Sequence, residues 1–146
     1  MWRQLKNTLN SVRTYPDLSP DLQVRRQVNR QLRSQRPALK PEDWYYEFRL
    51  ITRCDQRLLD FLHSRLQHYS GLNFSRVRPC DHLVDDLQFP LVCWFDWAWK
   101  LCEDFERVFG VDISEDFDET QFDTVKDLLV FLDRRVSTRQ AAIAHC

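Results

Sequence analysis

Cysteine, histidine and acidic side chains are the groups in this chain that could do chemistry. Five cysteines and four histidines are scattered over 146 residues, and Cys80 and His82 stand close together. A structural zinc site needs four such ligands, and no second pair completes this one. Asp85-Asp86 and the acidic cluster at 115–119 offer oxygen ligands, but neither has the spacing of a calcium loop. The sequence therefore predicts no metal and no cofactor, with these acids acting as helix caps or solvated faces.

Motifs for nucleophilic catalysis and phosphate binding are also missing from the sequence. The two glycines, Gly71 and Gly110, stand far apart and cannot form a glycine-rich phosphate loop. No Ser/His/Asp or Cys/His arrangement carries a recognisable local signature. We therefore expect the protein not to be an enzyme.

Charge divides the chain into a basic start and an acidic remainder. Residues 1–40 hold nine Lys or Arg against two Asp, and residues 81–133 hold fifteen acidic against three basic side chains. The predicted basic arm contains five arginines on one helix: Arg25, Arg26, Arg30, Arg33 and Arg36. This arm either docks on the acidic body or binds an anionic molecule of its own, such as nucleic acid or a membrane surface. The odd cysteine count and the lack of a signal peptide predict a reducing, cytoplasmic location.

Apolar residues at three- and four-residue steps predict helices along the whole chain. Short amphipathic stretches at 2–13, 21–36 and 41–52 form a basic and aromatic N-terminal extension, with Pro41 in the first turn of the third. Asp55 is placed to cap a helix over 56–69, and Gly71 is suited to end it. The fold class is therefore all-α.

A long central helix is predicted over about 90–109, between Pro90 and Gly110. Its core stripe is Trp94, Ala98, Leu101, Phe105 and Val108, although the first half of the helix is apolar nearly all round. A short acidic helix is expected at 114–119. A last helix begins near Thr124, with Thr124 and Asp127 as a capping pair, and a loose tail follows at 137–146.

The order of pieces across 55–136 resembles the acyl carrier protein family. The pieces are a first helix, a long loop, an Asp85-Asp86-Leu87 turn, a second helix ending before Val111-Asp112-Ile113, a short acidic third helix and a last helix opening at Thr124-Val125. The resemblance implies a four-helix bundle at 54–136 that follows an N-terminal helical extension at 1–53. It also implies that a serine just after the turn would hold a phosphopantetheine arm.

That serine is missing here, and the missing residue governs the functional prediction. No serine occurs between Ser75 and Ser114, and the two ways of counting to the attachment position give Leu91 and Phe95. Cys93 lies between them, and an ordinary buried cysteine is its simpler interpretation. The resemblance then implies the carrier's shape without its prosthetic group.

We therefore expect an adaptor or assembly module that binds another protein through the second helix. In carrier proteins this acidic surface meets basic patches on partner enzymes, and the corresponding residues here are Asp96, Trp97, Trp99, Glu103, Asp104 and Glu106. The tryptophans are the expected affinity anchors, because Trp is enriched among interface hot spots. A protein with a basic patch is favoured over nucleic acid or a membrane. The alternatives are a divergent carrier modified at an unusual site and an anionic-surface binder that uses the basic arm.

Overall fold

Helices account for nearly all the regular structure of residues 19–144. In this computed structural model the structure describes residues 19–144, with side chains through residue 140, so the helix predicted over 2–13 lies outside the described residues. The helices are α1 (Leu22–Gln35), α2 (Pro41–Arg49), α3 (Gln56–Ser70), α4 (Phe89–Val92), α5 (Trp97–Phe109) and α6 (Val125–Ala144). No strand occurs within 19–144, where the only β-type pairing is an isolated bridge between His82 and Thr124. The all-α prediction is confirmed.

Several helix ends lie where local chemistry predicts them. Pro41 opens α2, where a residue without an N–H loses no helical hydrogen bond. Gly71 ends α3 and Gly110 ends α5, both with φ near +70°, a conformation that glycine adopts without strain. Thr124 and Asp127 form the predicted reciprocal cap, since Asp127 N–H donates to Thr124 Oγ1 (3.3 Å) and Thr124 N–H donates to Asp127 Oδ2 (3.1 Å).

One core unites the N-terminal helices with the rest of the described chain. The centre is α3, whose Leu59, Leu62 and Leu66 are fully buried. The same cluster includes Val28 and Leu32 of α1 and Trp44 and Phe48 of α2. The basic arm therefore docks on the body by burying an apolar stripe.

The predicted central helix is two helices separated by a break at 93–96. Gln88 takes a left-handed conformation (φ 53°), α4 runs for one turn, and Cys93 is extended. A straight helix presents only one side to a core, whereas this segment is apolar on several sides. The break allows Val92, Cys93 and Trp97 all to be buried.

Two further elements differ from the sequence prediction. No α-helix forms at 114–119; a turn there precedes a 3₁₀ turn at Glu119–Gln121. The Asp112 carboxylate accepts hydrogen bonds from the backbone N–H and the hydroxyl of Ser114, and such local bonds compete with a helix. At the other end α6 continues to Ala144, where a loose tail was expected from Ser137 onward.

Candidate interaction surface

Residues 83–87, which include Asp85-Asp86-Leu87, form a turn. The Asp86 carboxylate accepts the backbone N–H of His82 at 2.7 Å, and this hydrogen bond is the main cause that lowers the pKa of Asp86. Leu87 is fully buried and anchors the turn in the core. The chain then enters α4, which contains no hydroxyl side chain. The turn is therefore followed directly by an apolar segment.

Cys93 is the one nucleophile in the predicted attachment segment, and it lies inside the protein. Its side chain is buried, with a relative exposure of 3%. Burial raises the pKa of its thiol far above the ordinary value, because a thiolate there would lose its hydration. A thiol that stays protonated and covered is a poor nucleophile.

Exposed apolar side chains lie on the segment that follows the Asp85-Asp86-Leu87 turn. Leu91 and Trp94 are about half exposed, at 49% and 47%. The exposed Leu22 lies on an adjoining segment, because the backbone N–H of Asp21 donates to the carbonyl of Leu91 at 2.8 Å. We call Leu22, Leu91 and Trp94 the Trp94 patch.

The six residues predicted to bind a partner divide into two groups. Trp97 and Asp104 are buried, so the prediction that they are exposed is wrong. Trp97 packs edge-to-face on Phe89, with ring centroids 5.2 Å apart. The break at 93–96 explains the error, since it turns Trp97 inward and leaves Trp94, the predicted core residue, outside.

The other four predicted residues retain some exposure. Asp96 is partly buried at the N-cap of α5, and its side chain accepts no capping hydrogen bond. Trp99 is partly exposed and its indole N–H donates to the carboxylate of Glu103 at 2.6 Å. Glu103 and Glu106 are exposed. Positions 99, 103 and 106 share one side of a helix, so these residues form an acidic and aromatic face.

The carboxylate of Asp104 contacts other side chains of this protein. Its carboxylate accepts the hydroxyl proton of Tyr69, lies 3.2 Å from Arg107 and lies 3.8 Å from Arg65. Burial first, and then the hydrogen bond to Asp104, raises the pKa of Tyr69 well above its usual range. A buried carboxylate that is paired with two arginines offers little charge to a partner.

A groove connects the Trp94 patch with the acidic face of α5. Its volume is about 670 Å³, and Trp94 and Glu103 both line it. Arg25 of α1 and Tyr69 of α3 are among its other lining residues, which include both acidic and basic side chains. The size is within the range of pockets that accept a side chain or a small ligand. An apolar group and a charged group of one partner can therefore be held side by side.

The five arginines of the basic arm have two different roles. Arg25 donates to the carbonyl of Val92 at 2.7 Å, and Arg36 pairs with Asp81 at 2.7 Å. Arg26, Arg30 and Arg33 are exposed, and no residue in the described part of the chain pairs with them. The arm is docked by two arginines and presents three to the solvent.

Sequence reasoning missed the exposure of Leu91 and Trp94. A signal was present, because Pro90 followed by an apolar run on every side of the wheel is incompatible with one straight, half-buried helix. Within the described residues no three His, Cys, Asp or Glu side chains are grouped to hold a metal ion. Over the same residues no helix is both long and apolar enough to cross a bilayer.

Comparison with protein-family models, with curated proteins and with solved structures finds no match to this chain. Functional inference therefore starts from the geometry described above.

Proposed function

We propose that this protein is a non-catalytic interaction module, an adaptor or assembly factor, on an acyl-carrier-like helical scaffold without a prosthetic group. The observation that carries the proposal is the segment after the Asp85-Asp86-Leu87 turn. It presents Leu91 and Trp94 to the solvent. Under the proposed resemblance, this segment would carry the loaded hydroxyl of a carrier. Tryptophan is enriched among interface hot spots, and Trp94 is half exposed on this segment.

The expected partner is a protein with an apolar side chain and basic residues on one surface. The apolar side chain would pack on Leu91 and Trp94, and the basic residues would face Glu103 and Glu106, which are exposed on the adjoining helix. Burial of the apolar contact supplies most of the affinity, while charge pairing at the rim sets orientation and speeds association.

A paired-variant capture experiment tests this surface. The tagged protein is used to capture partners from its native cells, and the captured proteins are quantified by mass spectrometry. Leu91→Ala with Trp94→Ala should reduce specific capture about tenfold. Tyr46→Ala with Leu50→Ala is the matched control, because those side chains are also exposed (66% and 68%) but do not line the groove beside Trp94. Equal capture by both variants and the wild type would refute the proposal.

Charge reversal tests the acidic part of the surface separately. Glu103→Lys with Glu106→Lys should slow association with the captured partner and remove the dependence of the association rate on salt. An association rate that does not change would show that the partner's charge does not matter here.

The divergent-carrier alternative has its own measurement. The protein is incubated with coenzyme A and a phosphopantetheinyl transferase, and its intact mass is then measured. We expect no mass increase, since α4 has no hydroxyl and Cys93 is buried. A stoichiometric increase by the mass of one phosphopantetheine group would replace the adaptor proposal with a carrier function.

A further inference from the structure

We propose a second site on this protein: a basic groove between α1 and α3 that binds a small soluble phosphate monoester. The groove has a volume of about 640 Å³ and is separate from the Trp94 patch. Six of its lining residues carry the proposal: Arg33, His63, Gln67, Asn73, Ser75 and Arg76. No Asp or Glu is among the described residues that line it. We call it the basic groove.

Three amide side chains line the basic groove; Asn29 donates its NH₂ to the carbonyl of Gly71, whereas Gln67 and Asn73 have their oxygens engaged and their nitrogens free. Gln67 Oε1 accepts the backbone N–H of Phe74 at 3.1 Å, and Asn73 Oδ1 accepts the backbone N–H of Ser75 at 3.1 Å. These bonds fix which end of each amide is the oxygen. Both NH₂ groups have no acceptor within the described chain, so they remain available as donors.

Two arginines give the groove its positive charge. Arg33 is exposed on α1, and its guanidinium has no acceptor among residues 19–144. One nitrogen of Arg76 donates to the carbonyl of Arg36 at 2.6 Å, which holds the side chain in place and leaves its charge uncompensated. With no carboxylate in the wall, the local potential is positive although the whole chain carries a net charge of −1.

A donor-rich wall without carboxylates matches an anion with several oxygens. A phosphate group accepts hydrogen bonds at three oxygens, and arginine binds it in a bidentate manner. The rest of the groove, including the His63 ring and the Ser75 hydroxyl, which lie 3.4 Å apart, can hold the alcohol portion of a monoester. A bare ion would leave most of the volume unused. The class of ligand is therefore a small phosphomonoester.

Nuclear magnetic resonance titration of the full-length protein tests this site. Inorganic phosphate and glycerol 3-phosphate are added at constant ionic strength, with chloride as the reference anion. Glycerol 3-phosphate should shift the side-chain NH₂ signals of Gln67 and Asn73 saturably and at lower concentration than inorganic phosphate. Absence of saturable shifts would overturn the proposal, and equal affinity for the two probes would overturn its monoester part.

Matched arginine variants test whether Arg33 binds the phosphate group. Arg33→Gln should weaken glycerol 3-phosphate binding about tenfold, because a charge-assisted hydrogen bond is lost. Arg30→Gln is the control, since Arg30 is exposed on the same helix but does not line the groove. Equal weakening by both variants would show only a general effect of helix charge and would overturn the site.

A third variant keeps the proposal testable if Arg33→Gln alters the arm. Gln67→Glu retains an oxygen that can accept the Phe74 N–H and places a carboxylate in the groove. This variant should abolish binding while the remaining amide spectrum stays unchanged. Undiminished binding would contradict the proposed location.

Discussion

The buried hydrogen bond between Tyr69 and Asp104 allows a direct test of how burial changes the strength of one contact. Tyr69→Phe removes only the hydroxyl, so the ring keeps its packing while the Asp104 carboxylate loses its buried donor. A hydrogen bond to a buried charged group contributes about 1.5–3 kcal/mol. Arg107, whose side chain is 69% exposed, compensates little of this loss. We expect Tyr69→Phe to lower the free energy of unfolding by about 2 kcal/mol.

The same chain contains a matched control for this substitution. Tyr45 donates its hydroxyl proton to Asp60 in a pair of the same chemistry that is exposed to solvent. Tyr45→Phe should therefore cost less than about 1 kcal/mol, because water replaces the lost bond. Urea unfolding followed by tryptophan fluorescence measures both values, and the buried change should also lower Tm by about 4–8 °C. Equal losses for the two variants, or a loss below about 0.5 kcal/mol for Tyr69→Phe, would refute the reasoning.

Three further predictions concern the helix ends, the arm and the thiols. Gly110→Ala should lower the free energy of unfolding in urea by about 1–2 kcal/mol, since an L side chain is strained at φ near +70°. An unchanged free energy of unfolding would mean that the end of α5 relaxes freely. Leu32→Ala should lower the free energy of unfolding by about 2–5 kcal/mol within one unfolding transition, because the Leu32 side chain is buried. A separate early transition would show that α1 does not share the core. Burial raises the pKa of Cys54 and Cys102 from 9.0 to about 11, so their contribution to stability is complete below pH 9 and is lost as pH rises towards 11. Urea unfolding at several pH values should show the free energy of unfolding decline above pH 9, by about 1 kcal/mol per pH unit or less for each thiol, with the buried Cys93 thiol adding to the decline; a flat profile would contradict it.

Local sequence signals predicted the helix class and many helix ends. Pro41, Gly71 and Gly110 act through their own backbone geometry, so their positions depend little on the rest of the fold. The buried side of α3 could also be predicted from the sequence, because its leucines recur at helical spacing. Such features are encoded within a few neighbouring residues.

The surface could not be predicted because it depends on tertiary packing. Whether Trp94 or Trp97 faces the core is decided by the break at 93–96, and that break results from competition between several apolar residues for one interior. The burial of Asp104 similarly requires Tyr69, which lies 35 residues away in the sequence. The acyl-carrier-like arrangement and the interaction surface remain proposals.

Arg25 links three helices with one side chain. Its guanidinium donates from α1 to the carbonyl of Val92 at the end of α4 and to the carbonyl of Tyr69 near the end of α3. A local opening that releases α1 must also release the single turn of α4, since the Arg25 guanidinium joins the two helices. In native-state hydrogen exchange, amides in α1 and α4 should therefore become labelled through one shared opening event.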